Sequence, residues 1–76
     1  MKLTKKQKDF YQRYKDSYDD KREMELLKYE AQREEREATT YKARENWSYL
    51  ELLARWRFMK LKYQEEGKEC QLLVEN

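Results

Sequence analysis

Large apolar side chains recur along this chain at intervals of three and four residues, in three stretches whose phases differ from one another. The first places Leu3, Phe10, Tyr14 and Tyr18, with Tyr11 beside them, on one aromatic stripe. Thr4 followed by Gln7 has the spacing of a capping box, in which each side chain satisfies the other's backbone amide. A helix is therefore expected over about 5–18.

After Tyr18 the stripe changes direction. Met24, Leu27 and Ala31 sit away from the earlier face on a continued helical wheel, and Asp20 followed by Glu23 offers a second cap. The two segments are either one continuous helix with changed contacts or two helices broken near residue 19. From Met24 a heptad-like seam runs through Leu27, Ala31, Glu34, Ala38, Tyr41 and Glu45, and a second helix is expected over about 20–44. Its middle is weak, with glutamates and alanines where large apolar residues belong. Ala38-Thr39-Thr40 is its favoured bend, because β-branched threonines lower helix propensity and serve well at caps.

The third stretch, over about 47–66, is the most apolar, and Ser48 with Glu51 repeats the cap spacing. Tyr49, Leu52, Leu53, Trp56, Met59 and Tyr63 make one face, while Trp47, Leu50, Ala54, Phe58 and Leu61 take much of the opposite one. A helix apolar on two sides has to be covered on two sides. Gly67 suits the left-handed position after a helix end, leaving residues 67–76, with Cys70, Leu72, Leu73 and Val74, as a C-terminal tail.

Composition agrees with helix nearly throughout, since the chain has no proline and one glycine, and folds built on tight turns use both repeatedly. With 76 residues, 45% of them charged, the core is thin. A single core of this size rarely supplies more than about 3–5 kcal/mol, and the usual supports are disulfides, a metal or association. One cysteine closes no internal disulfide, and one cysteine with no histidine builds no zinc site, so association is the support that remains. The expected architecture is all-α: a helical hairpin or bent three-helix unit with long charged helices that self-associates. The lone thiol, no signal-like segment and no long apolar run point to a cytoplasmic protein.

Chemistry is sparse. Without histidine the commonest general base is missing, Ser17, Thr39 and Ser48 have no base partner that spacing could supply, and one glycine excludes phosphate-cradling loops. No catalytic, metal or cofactor residue is assigned, and neither a small-molecule substrate nor a membrane is expected as a partner. A protein partner is expected instead. The run from Trp47 to Tyr63 is rich in the residue types that anchor interfaces, giving Trp47, Tyr49, Leu52, Arg55, Trp56, Met59 and Tyr63 as candidate contacts, with Trp56 at the centre of its face. The alternative is nucleic-acid binding by the basic, aromatic first helix, through Lys5, Lys6, Lys8, Arg13 and Lys15. The net charge of +2 and the scatter of those cations around the helix argue against it. Size and composition together suit a small regulator, inhibitor or assembly component, of a kind frequent among bacteriophage products.

Overall fold

The computed structural model describes residues 2–66, which form three α-helices: α1 over Lys5–Asp16, α2 over Lys21–Glu37 and α3 over Tyr41–Glu66. The protein is all-α. The expected tail and Cys70 lie outside the described residues.

Each break follows from local chemistry. The Thr4 hydroxyl accepts from the Gln7 amide at 3.2 Å, and the Gln7 side-chain oxygen accepts from the Thr4 amide at 2.9 Å, which completes the expected capping box. At the first turn the Ser17 amide closes on the Arg13 carbonyl at 2.9 Å, and the Asp20 carboxylate accepts from the Glu23 amide at 3.2 Å to start α2. The chain therefore breaks near residue 19, where a continuous helix was the other reading.

The second break corrects the expected boundaries. A helix over 20–44 and another from 47 become α2 ending at Glu37 and α3 starting at Tyr41. Ala38 is extended, with ψ 136°, and the Thr40 hydroxyl accepts from the Ala43 amide at 3.1 Å. Thr40, a favoured N-cap residue, starts α3 about two turns before Ser48 could, so Ser48 lies inside the helix and its cap spacing goes unused. The seam from Met24 accordingly holds through Ala38, which packs on the core, and stops there: Tyr41 is 82% exposed.

Pairs across the helices fix their directions. Lys21 at the start of α2 meets Glu65 at the end of α3 at 2.7 Å, so those two helices run antiparallel. Gln7 and Phe10 of α1 lie against Ala43, Asn46 and Trp47, and Tyr18 lies against Arg57, so α1 runs parallel to α3. The core is small: Phe10 from α1, Met24, Leu27 and Ala31 from α2, and Trp47, Leu50 and Ala54 from α3. Phe10 and Trp47 meet edge to face, with centroids 5.4 Å apart.

Polar contacts fasten α1 at both ends. At its start Gln7, 1% exposed, and Asn46, 3% exposed, are joined by an Asn46 Nδ2–Gln7 Oε1 bond of 3.1 Å, and Asn46 also donates to the Lys2 carbonyl at 3.0 Å. At its far end Arg57 donates to the Tyr18 carbonyl and to the Asp19 carboxylate, both at 2.7 Å, and its guanidinium lies 3.8 Å from the Tyr18 ring centroid. Between these ends Arg13 reaches across to Glu30 at 3.0 Å and Glu23 at 3.7 Å on α2.

Candidate protein-docking face

α3 is apolar on two sides, and the fold covers one of them. Trp47, Leu50 and Ala54 are buried, and Phe58 and Leu61 pack against them. The other side faces outward: Trp56 is 63% exposed, Tyr49 47% and Met59 41%, with Leu52 and Tyr63 half-buried, while Leu53, expected on this side, packs against the core. Tyr49, Leu52, Trp56, Met59 and Tyr63 follow one another at spacings of three, four, three and four, the recurrence of a heptad seam. On a straight helix they form a narrow stripe about four turns long.

The expected interface set is thus divided. Tyr49, Leu52, Trp56, Met59 and Tyr63 share the outer stripe, and exposed Arg55 flanks it, 3.5 Å from Glu51. Trp47 belongs elsewhere, 4% exposed beneath α1. Trp56 is consequently no part of the enclosed core, although it stands at the middle of its face.

A shallow cleft of about 190 Å³ opens beside the stripe, lined by Tyr14, Tyr18, Leu53, Trp56, Arg57 and Lys60. Its α1 wall is built by ring contacts: Tyr11 stacks on Tyr14 at 5.8 Å, and Tyr14 meets Tyr18 edge to face at 5.7 Å. Burial pushes the Tyr14 phenol above its ordinary pKa, Tyr18 and Tyr11 add to the shift, and Arg57 opposes it. This extension onto α1 was invisible in the sequence, because periodicity relates residues on one helix and the cleft joins two. A signal existed in Arg57, a cation inside an apolar run. It is turned inward onto Tyr18 and Asp19 and fixes α1 beside Trp56.

The α1 cations do not make one surface. Lys6 pairs with Glu34 at 2.7 Å and Arg13 with Glu30, while Lys15 lies 5.1 Å from the Tyr11 ring centroid. Lys5 and Lys8 are exposed. No helix among the described residues is long and apolar enough to cross a membrane.

No protein-family model, curated protein or solved structure matches this chain.

Proposed function

We propose that this protein is a small non-enzymatic interaction module, a regulator, inhibitor or assembly component, that docks the outer face of α3 on a partner protein. The supporting observation is the heptad stripe centred on Trp56: a folded helix holds a large aromatic side chain 63% exposed, in register with four further apolar residues. Scattered exposed apolar residues are ordinary, whereas a contiguous stripe on a rigid element marks an interaction site. Interface energy concentrates in anchors of this type, with tryptophan and tyrosine prominent among them. A cytoplasmic setting and phage origin complete the reading, on the composition of the chain alone.

Nucleic-acid binding through α1 has less support, because Lys6 and Arg13 are already engaged with carboxylates of α2. Phosphate would have to displace those pairs.

The test is parallel affinity capture from host lysate with wild-type protein, Trp56→Glu and the Lys5→Ala/Lys8→Ala/Lys15→Ala variant, followed by mass spectrometry. Trp56→Glu is expected to fold normally and to lose the retained protein, with the lysine variant keeping it. A retained set indifferent to Trp56→Glu would exclude the outer face as the binding surface. Loss of nuclease-sensitive material with the lysine variant alone would favour the nucleic-acid reading.

A further inference from the structure

We infer that the occupant of the α3 stripe is an amphipathic helix of another protein whose own seam is flanked by carboxylates, rather than a second copy of this chain. This rests on the outer face being a docking surface and adds the chemistry of what docks there.

The charges beside the stripe carry the inference. In heptad terms Tyr49, Trp56 and Tyr63 occupy one seam position and Leu52 and Met59 the other. The flanking positions then hold Ser48, Leu53, Arg55, Lys60 and Lys62. Arg55, Lys60 and Lys62 are all exposed. Between residues 46 and 64 the sequence has one acid, Glu51, and it is 8% exposed, accepting from Gln32 at 3.4 Å and paired with Arg55. Across the cleft, Asp19 is held by Arg57 at 2.7 Å. Among the described residues the stripe is therefore an apolar seam flanked by Arg55, Lys60 and Lys62 with no outward acid between residues 46 and 64, and the nearest acids beyond its ends are Glu45 and Glu65, the latter paired with Lys21 at 2.7 Å.

Flanking charges choose helix partners: opposite signs across a seam attract, and like signs are a device against pairing. A parallel second copy would bring Arg55 against Lys60. An antiparallel one centred on the stripe would bring Arg55 against its own counterpart, with Glu45, one turn before the stripe, as the acid that could reach a lysine. Glutamates at the partner's flanking positions would instead face Arg55, Lys60 and Lys62 together. The narrow stripe favours a helix over a lipid surface, which calls for a broad apolar face on one side of the contact helix.

The experiment uses the full chain and two dye-labelled 21-residue peptides with the same Leu/Ile heptad seam, one flanked by Glu and the other by Lys, read by fluorescence anisotropy at low salt. The like charges on each peptide keep it from pairing with itself. The Glu-flanked peptide is expected to bind roughly tenfold or more tightly than the Lys-flanked one, with the gap narrowing as salt rises. Arg55→Glu/Lys60→Glu/Lys62→Glu is expected to reverse the preference, and Trp56→Ala to weaken both peptides roughly tenfold. Equal affinity for the two peptides would overturn the acidic occupant while leaving the docking face standing. So would sedimentation equilibrium showing a dimer of the chain that Trp56→Ala dissociates. Binding of neither peptide, with no self-association, would remove the docking face as well. Binding only to phosphatidylserine vesicles would replace the helix with a lipid surface.

Discussion

Trp47→Ala is expected to cost about 3–5 kcal/mol and to leave the chain largely unfolded at room temperature, while Trp56→Ala costs less than about 0.5 kcal/mol. The two tryptophans share one helix and differ in what surrounds them. Trp47 is 4% exposed, packed edge to face on Phe10 in the narrow core, and its removal leaves a void that three short helices cannot close without losing other contacts. A core of this size holds only about 3–5 kcal/mol in total, so the loss is comparable to the whole stability. Urea denaturation followed by circular dichroism measures both variants. A destabilisation by Trp56→Ala equal to that by Trp47→Ala would mean that Trp56 is enclosed.

Gln7→Ala is expected to cost about 2–4 kcal/mol, far above the usual loss for a polar-to-alanine change near a helix start. Its side-chain oxygen accepts at once from the Thr4 amide of its own helix and from Asn46 Nδ2 on α3, in a site where both side chains are almost fully buried. Truncation removes the side-chain half of the capping box, leaving the Thr4 amide without its acceptor, and leaves the Asn46 amide without one of its acceptors away from water. Because the two groups act as one unit, Gln7→Ala and Asn46→Ala should be strongly non-additive in a double-mutant cycle, with a coupling of about 1 kcal/mol or more. Additive losses would show that the bond does not fasten α1 to α3.

Those two residues also mark where sequence reading stopped. The helical class, the Thr4–Gln7 box and the Asp20 cap follow from short-range rules that act within one turn, and they were legible. The two apolar faces of α3 were equally plain from periodicity. Which face turns inward was not, because Trp56 with its five apolar neighbours and Trp47 with Leu50, Ala54, Phe58 and Leu61 make comparable stripes. Deciding between them requires knowing that Phe10 and Met24 pack against the second set, a fact about other helices. Gln7 looked like a cap alone, and its burial depends on Asn46, distant in sequence. The bend at Ala38-Thr39-Thr40 was legible from its threonines, but the expected helix bounds still fall at 44 and 47, because the seam's spacing carries on through Tyr41 and Glu45 and Ser48 offers a second acceptable cap.

The placement of the two tryptophans also has an optical consequence. Trp47 is shielded from solvent and Trp56 is open to it, so the chain carries two emitters in unlike surroundings. The first emits to the blue, resists collisional quenchers and reports on whether the three helices are assembled. The second emits to the red, is quenched readily and changes when something covers the outside of α3. Folding and docking can thus be followed separately in the unlabelled protein, each through its own indole.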